Sequence, residues 1–445
     1  MDIQGAAMNE QERRGDRESV VSRYASGESL RRAGQYDKAL ALFQELADDE
    51  AGPDVLWRVA YCLRRLGRIE EADQAIARAL EKFDSDPWVR REAAWITYEK
   101  ALKPAVAAED LEAACEAARR MMDLAGDEPL VRERAVFCAI KVARSRRDWD
   151  QVVAWTDELD PETLSTDKRE IDGRTVMSPR EQWYFARLKG LVGLRRWDEA
   201  RQVADRALEQ FPGRRDFVRW RALARAELGE LESAIADMQR LVERERAWYL
   251  LDTLADLHAR AGDLGAARRA AARALLAPGE LKSKVALIAR LATWLDAEGL
   301  DGAAEQALLA IRIREAEGWG VPEALIRLAA GAPEDRRALS ELARAARERW
   351  KSLAQEGATE ETGRVVRLID GKPFGFIEDS RGRSVFVLTR DMAPECRRVG
   401  AHVRFVLQKS YDRKRQREGW RATEVRAVAG AGGRSEDDSE SRLDL

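Results

Sequence analysis

The chain has 445 residues, which is too many for one compact domain and suggests several domains or one long repeat array. Hydrophobic residues make up 45% and charged residues 35%, so collagen-like and wholly disordered classes are excluded. The 77 basic and 80 acidic residues give a net charge of −3, which draws the whole chain neither to nucleic acid nor to membranes. Function must therefore depend on where the charges lie.

In chain order, residues 1–19 are polar and are predicted to be a disordered leader. Residues 20–355 repeat one pattern, in which two amphipathic helices are joined by a short turn. A polar stretch near residues 160–181 interrupts this pattern and is predicted to be an inserted loop. The last helix, which ends near Leu353, is predicted to cap the array with a polar outer face.

The repeat is clearest where a glycine is followed five residues later by an alanine. The four glycines are Gly34, Gly67, Gly229 and Gly262, and the alanines are Ala39, Ala72, Ala234 and Ala267. Glycine permits the positive φ that ends a helix tightly, and alanine lets the paired helices approach each other. A second alanine follows seven residues later at Ala79, Ala207 and Ala274. Three weaker copies have Glu109, Arg147 and Arg195 in place of the glycine, which leaves their turn geometry open.

These repeats resemble the tetratricopeptide repeat family over about three quarters of the chain. The resemblance implies an α-solenoid of about eight helix hairpins, whose concave face docks a protein partner of unknown identity. The aromatic residues Trp57, Tyr61, Trp95 and Tyr98 could line that face. They could equally be packing residues, because aromatic side chains at helical spacing often serve the core.

After a predicted linker at 356–361, residues 362–428 form short alternating runs separated by turns, which is typical of a small β-domain. This segment has 16 basic against 8 acidic residues, a net of +8 in a chain whose total is −3. Residues 429–445 are predicted to be an acidic disordered tail. The positive charge is therefore concentrated in one small domain.

The run KPFGFI puts Phe374 and Phe376 on one face of a strand, directly after Lys372. Phe386, between two valines of the next run, is expected to complete an aromatic platform for base stacking. The runs KPFGFI and VFV resemble the two ribonucleoprotein motifs of the cold-shock domain, over about 65 residues. The resemblance implies a five-stranded OB-type barrel that binds single-stranded nucleic acid, with RNA more readily than DNA as ligand.

This chain departs from the cold-shock pattern at four positions. Arg367 and Leu368 stand where the family has Trp-Phe, and Leu388 and Thr389 stand where it has His-Phe. Arg367 is expected to stack through its guanidinium in place of the indole. Two interpretations stay open. The barrel binds nucleic acid through a smaller platform, or it serves protein contacts with the phenylalanines half-buried in its core.

A basic loop, KSYDRKRQREGWR, lies near the end of the predicted barrel and is expected to add phosphate contacts beside Trp420. Its predicted contact residues are Lys409, Arg413, Lys414, Arg415 and Arg417. With Arg367, Lys372, Trp420 and the three phenylalanines, they make up the predicted nucleic-acid-binding set. The sequence thus favours an adaptor that holds single-stranded nucleic acid and docks a protein. The alternative is a protein scaffold of a regulatory or stress-linked system.

Sequence signatures of catalysis and of metal binding are missing. The chain contains no GxxxxGK, GxGxxG, HExxH or GxSxG motif and only two histidines, His258 and His402. The four cysteines share no short spacing and are predicted to be reduced core residues. Carboxylates on the amphipathic helices are expected to be solvated. We predict a protein without enzymatic activity, cofactor or metal.

Membrane and export signals are also missing from the sequence. No run approaches 18 apolar residues, and the N-terminus has no apolar signal segment. Sparse, scattered cysteines are typical of a reducing compartment. We therefore expect a cytoplasmic protein that has no membrane partner.

Overall fold

The structure is a computed structural model, and it describes residues 20–47, 51–171, 173–330, 338–356, 360–412 and 417–428. The chain divides into two compact units, Met1–Phe211 and Pro212–Leu445. The predicted leader and tail lie outside the described residues. In the described part of the chain, no helix is long and apolar enough to span a membrane.

The first unit is built from helices that follow one another with short connections. They are α1 (20–32), α2 (Tyr36–Glu45), α3 (Pro53–Arg65), α4 (Ile69–Lys82), α5 (Pro87–Thr97), α6 (Lys103–Ala107), α7 (Leu111–Ala125), α8 (Pro129–Ser145), α9 (Trp149–Asp157), α10 (Pro179–Gly193) and α11 (Trp197–Gln210). A π-helical turn joins α5 to α6 just before Pro104, which has no backbone N–H to donate.

Between α9 and α10, the segment predicted as a loop contains a small hairpin. Strands β1 (Arg169–Ile171) and β2 (Arg174–Val176) pair in antiparallel fashion. The side chain of Ser178 then accepts a hydrogen bond from the N–H of Glu181 and caps the start of α10. Strands of three residues are too short to produce a recognisable alternation in the sequence.

The second unit begins with further helices of the same kind and ends in a β-barrel. The helices are α12 (Arg215–Glu227), α13 (Leu231–Arg244), α14 (Trp248–Arg260), α15 (Leu264–Leu276), α16 (Val285–Ala297), α17 (Ala303–Ala316), α18 (Glu323–Ala329) and α19 (Leu339–Leu353). Helix α19, the predicted capping helix, packs against α15 and α17. Its apolar side chains belong to the core of this unit.

Eight helix pairs, from α1–α2 to α16–α17, account for the predicted hairpins, with α5 and α6 together forming one member. The alanines at both predicted positions are fully buried, as expected for residues where two helices approach closely. They are Ala39, Ala72, Ala79, Ala207, Ala234, Ala267 and Ala274. The predicted mostly helical class, with paired helical repeats, is confirmed.

The turns inside the pairs share one backbone conformation whether or not they contain glycine. Gly67 has a φ of 76°, and Glu109, Arg147 and Arg195 have φ values of 52°, 58° and 58°. At Gly67 and at Arg195, the N–H bonds to the carbonyl three residues back, and the following N–H bonds to the carbonyl five residues back. This is the Schellman ending of a helix. The weaker repeats therefore keep the turn. Because Glu109, Arg147 and Arg195 have a Cβ, their left-handed backbone conformation costs free energy that a glycine would not.

Exchanging residues at this turn should change stability in opposite directions. We expect Gly67→Ala to lower the free energy of unfolding by about 1 kcal/mol and Arg195→Gly to raise it by up to about 1 kcal/mol. No atom lies within 4 Å of a Cβ placed on Gly67, so the effect there is one of backbone conformation alone. Urea denaturation followed by circular dichroism measures both. Equal midpoints for both variants and the parent would contradict the expected strain.

Some carboxylates on the repeat helices are buried, contrary to the expectation that they are solvated. Glu92 is 4% exposed and accepts two hydrogen bonds, of 2.6 and 3.1 Å, from the guanidinium of Arg64. Burial raises the pKa of Glu92, although Arg64 acts in the opposite direction. Asp237 is 2% exposed. These carboxylates fix helices to each other through arginine rather than facing the solvent.

The C-terminal β-domain is a closed five-stranded barrel, as predicted. Its strands are β3 (Glu360–Leu368), β4 (Phe374–Asp379), β5 (Ser384–Leu388), β6 (His402–Asp412) and β7 (Arg417–Ala427). They are arranged in the order β3-β4-β5-β7-β6, and β3 pairs with β6 to close the barrel. The β5–β7 pair is parallel and the other pairs are antiparallel. A core made mainly of valines, together with Met392 and Phe405, fills the interior.

The barrel also contacts the helices of its unit. Helix α13 packs against β6, and the side-chain amide of Gln355 donates a hydrogen bond to the carboxylate of Glu424. Strand β3 begins at Glu360, within the predicted linker.

Candidate nucleic-acid interface

Three phenylalanine rings form a cluster on the outer face of the barrel. The ring centres of Phe374 and Phe386 are 5.5 Å apart, those of Phe376 and Phe386 are 6.0 Å apart, and those of Phe374 and Phe376 are 6.2 Å apart. All three side chains are half-buried. Their neighbours Ile377, in β4, and Val385, in β5, point inward into the core. The cluster, called the phenylalanine platform below, is therefore separate from the barrel interior.

Strand pairing places an arginine on each side of the platform. Phe376 lies opposite Arg367 of β3 and opposite Phe386 of β5, and Phe386 in turn lies opposite Arg421 of β7. Residues directly opposite each other share one face of a sheet. A bulge at Val366 shifts the register of β3 and brings Arg367 to this position. The row Arg367–Phe376–Phe386–Arg421 thus crosses four strands.

Gly375 explains why a glycine separates two phenylalanines. A Cβ at this position would lie 2.4 Å from the carbonyl oxygen of Arg367 and 2.6 Å from a methyl carbon of Leu368. The close approach of β3 and β4 therefore requires a residue without a side chain there. The sequence showed this glycine but offered no reason for it.

The cations near the platform differ in whether they already bind a carboxylate. Lys372, in the turn before β4, and Arg367 are exposed, and within the described residues neither pairs with a carboxylate. Arg421, by contrast, donates a 2.6 Å hydrogen bond to Asp391, and its side chain is 15% exposed. Arg367 and Lys372 are therefore free to meet an anion, whereas Arg421 already has a partner.

Trp420 lies apart from the platform. It is on the opposite side of β7 from Arg421 and packs against the barrel core. The guanidinium of Arg383 covers its ring at 5.1 Å from the ring centre. Alternation along β7 puts Trp420 on the side of the buried Ala422. Strand pairing thus brings Arg367 to the platform, whereas Lys372 lies in the exposed turn that precedes Phe374 and Trp420 lies on the core side of β7.

The turn between β4 and β5 is fixed by a buried carboxylate. Asp379 accepts hydrogen bonds from the backbone N–H groups of Arg381 (2.9 Å) and Arg383 (2.8 Å) and from the Arg383 side chain (2.5 Å). Burial alone would raise the pKa of Asp379, but these hydrogen bonds outweigh it and hold the pKa below its usual value. The turn holds the two phenylalanine-bearing strands in register.

The predicted basic loop is described only at its edges. Lys409 lies in β6, opposite Trp420, and Arg417 is the first residue of β7. Arg413, Lys414 and Arg415 lie outside the described residues. Their contact with phosphate stays a prediction.

The aromatic residues predicted for the partner face of the repeats lie mainly within the packing of the first unit. Trp57 is 6% exposed, and Tyr61, Trp95 and Tyr98 are half-buried against hydrophobic clusters. Trp88, which no sequence pattern indicated, is 52% exposed and stacks on Trp57 with ring centres 5.4 Å apart. These positions favour the packing interpretation for the four predicted residues.

The cysteines and histidines differ in burial, with Cys138 half-buried and His402 exposed. Cys62, Cys115 and Cys396 are buried, and burial raises the pKa of Cys62 to about 12. His258 is half-buried, and burial lowers its pKa. Among the described residues, no group of three or more possible metal ligands comes together.

Comparison with family models identifies two segments of this chain. Residues 30–91 and residues 185–249 each match a tetratricopeptide repeat model. The first segment includes the turn at Gly67 and the second includes the turns at Arg195 and Gly229. These two segments of the chain are therefore similar to tetratricopeptide repeats. No curated protein sequence matches the chain.

Several solved structures are similar to this chain at low sequence identity. A tetratricopeptide repeat protein from Parabacteroides merdae is 13% identical, with a TM-score of 0.29, and the match covers 62% of this chain and 99% of that one. YrrB, a TPR protein with an unusual peptide-binding site, is 13% identical over 45% of this chain and 91% of that one, with a TM-score of 0.33. A chain of Naa15/Naa10 bound to HypK-THB is 15% identical, and the match covers 76% of this chain and 47% of that one, with a TM-score of 0.44.

Proposed function

We propose that this repeat protein is an adaptor whose barrel binds single-stranded nucleic acid while its helical repeats dock a protein. The observation that carries the proposal is the phenylalanine platform, with three half-buried rings whose centres lie within 6.2 Å of each other. Bases stack on such rings without regard to sequence. An apolar cluster on the surface with polar residues around it is typical of an interaction site.

Barrel topology supports the same proposal. In OB folds, nucleic acid lies across the face of the second and third strands, between the loop joining strands one and two and the loop joining strands four and five. The corresponding strands here are β4 and β5, which carry the platform. The corresponding loops contain Lys372 and residues 413–416. One parallel pair in a five-stranded barrel also fits this arrangement.

Positive charge supplies the second component of binding. Arg367 and Lys372 border the platform without carboxylate partners in the part of the chain described. Residues 362–428 carry a net charge of +8. In the proposed complex, Arg367 stacks on a base or meets a phosphate, while Lys409, Arg413, Lys414, Arg415 and Arg417 follow the backbone of the strand. Single-stranded RNA is the proposed ligand, ahead of DNA.

Salt dependence tests the proposed phosphate contacts. We expect the full chain to bind a fluorescent single-stranded RNA more tightly than a duplex of the same sequence, with affinity falling steeply as salt rises. Changing Arg413, Lys414, Arg415 and Arg417 to glutamine should flatten the log–log salt slope by about 0.7 for each phosphate that the loop no longer neutralises. Fluorescence anisotropy at several salt concentrations measures both quantities.

The matched control is Arg426→Gln, because Arg426 is exposed on β7 away from the loop. It should leave the slope unchanged. A full chain that binds no single-stranded RNA or DNA even at low salt would reject the proposal in favour of a protein scaffold. A slope unaffected by the loop variants would reject the assignment of phosphate contacts to the loop.

A further inference from the structure

A cavity of about 490 Å³ lies in the second unit beside helix α19. One face of that helix lines it, because its lining residues are spaced three or four apart. These are Ser340, Ala343, Arg344, Arg347 and Trp350. The opposite wall is the end of α15, with Leu275 and Leu276, and the segment that follows it, with Leu281 and Lys284. The cavity is of a size typical for small-molecule sites.

Lys284 is a buried cation at this cavity. It is 2% exposed, and its ammonium donates hydrogen bonds to the carbonyl oxygens of Leu275 (3.1 Å) and Ala277 (2.5 Å). These carbonyls end helix α15, so the lysine caps that helix. An ammonium has three donors, and among the described residues the third has no acceptor. No carboxylate in this part of the chain pairs with Lys284.

Two arginines add to this charge. Arg344 and Arg347 are exposed at the cavity, and neither forms an ion pair with a carboxylate of the described residues. Burial, and then the charge of Arg347, lower the pKa of Lys284. Among the described residues, no acidic side chain lines the cavity. In the described part of the chain, three cations therefore line one cavity, and two carbonyl oxygens accept hydrogen bonds from one of them.

We propose that this cavity binds a small organic phosphate, with the phosphoryl group between Lys284, Arg344 and Arg347. A phosphate carries nearly two negative charges, which matches the excess of positive charge better than a single carboxylate does. Guanidinium groups bind its oxygens through paired hydrogen bonds. The less polar part of the ligand lies against Leu276 and Leu281, which are half-buried in the opposite wall.

A structural role for Lys284 alone makes a different prediction. Capping of α15 requires only the contacts of Lys284 with Leu275 and Ala277. If capping were the whole role of Lys284, Arg344 and Arg347 would have no part in it, and the cavity would have no affinity for phosphate. The two arginines are exposed, so replacing them by glutamine should leave the fold intact and isolate ligand binding.

Equilibrium dialysis of the full chain against phenyl phosphate, inorganic phosphate and benzoate tests the proposal. We expect phenyl phosphate to bind more tightly than either of the other probes. Arg344→Gln and Arg347→Gln should each weaken its binding at least about tenfold. Lys351→Gln is the matched control, because Lys351 is on the same helix but pairs with Glu348 and does not line the cavity. It should leave binding unchanged.

A further control separates the cavity from the barrel. The double variant Phe376→Ala, Phe386→Ala should bind phenyl phosphate like the parent chain. Failure of phenyl phosphate to bind, or equal binding by the parent and both arginine variants, would overturn the proposal and leave Lys284 as a helix cap. Equal affinity for benzoate would reject phosphate as the ligand class, and equal affinity for inorganic phosphate would reject the contact with the leucines.

Discussion

Replacing Phe376 and Phe386 together by alanine is expected to weaken the binding of single-stranded RNA by at least about thirtyfold. The two rings lie directly opposite each other at the centre of the row across the barrel. Each stacked base contributes about 1–3 kcal/mol, and thirtyfold corresponds to the lower limit for two bases. Stacking releases no counterions, so the salt slope should stay that of the parent. Fluorescence anisotropy at several salt concentrations measures affinity and slope together.

Val399→Ala is the matched control for this loss of apolar surface. Val399 is 62% exposed in the loop before β6 and is not part of the platform. Circular dichroism should show folded barrels in both variants, because the phenylalanines are outside the core cluster. A folded double variant that binds RNA as the parent does would exclude the platform as the binding face. A reduced salt slope would instead assign these positions to phosphate contacts.

Asp237→Asn is expected to lower the free energy of unfolding by about 3 kcal/mol. The Asp237 side chain is 1% exposed and accepts hydrogen bonds from Arg221 (3.0 Å), Arg225 (2.8 Å) and Arg240 (2.6 Å). Arg221 and Arg225 are on α12, whereas Asp237 and Arg240 are on α13. An amide keeps the shape but removes the negative charge, which leaves cations close together at a helix interface. Urea denaturation followed by circular dichroism measures the loss.

Glu230→Gln provides the comparison for Asp237. The carboxylate of Glu230 lies 3.7 Å from Arg225, and its side chain is 45% exposed. Solvent screens such a pair, so we expect this variant to lose less than about 1 kcal/mol. Equal losses for the two variants would mean that burial of Asp237 adds nothing to the interaction. An unchanged midpoint for Asp237→Asn would show that neighbouring arginines can separate without cost.

Local features of the chain were predictable from the sequence. A glycine in a helix–turn–helix repeat and an alanine at a helix contact are determined by backbone geometry within a few residues, as at Gly67 and Ala72. Alternation within one strand likewise predicted that Phe374 and Phe376 share a face. The platform could be anticipated because it depends on strand periodicity and on one strand pairing with the next.

Features that depend on distant pairing were not predictable in this way. The bulge at Val366 determines where Arg367 lies, and a bulge leaves no periodic signal. The basic neighbours of Trp420 indicate an interface position, but the register of β7 puts its ring on the core side. Asp237 has the sequence pattern of a solvated carboxylate, because its arginine partners Arg221 and Arg225 are on another helix. In each case, the missing information was tertiary.

The connectivity of the barrel has a consequence for the order in which the protein acquires its structure. Strand β3 must find β6, and β5 must find β7, each across roughly thirty residues or more, whereas each helical hairpin closes over a few residues. Non-local pairing slows folding because chain entropy is lost before contacts form. During synthesis, the repeats can therefore become compact while β3 to β6 still have an open edge. Only the pairing of β7 with β5 and β6 removes the open edges of those two strands, so the row from Arg367 to Arg421 is complete only once the whole barrel has closed.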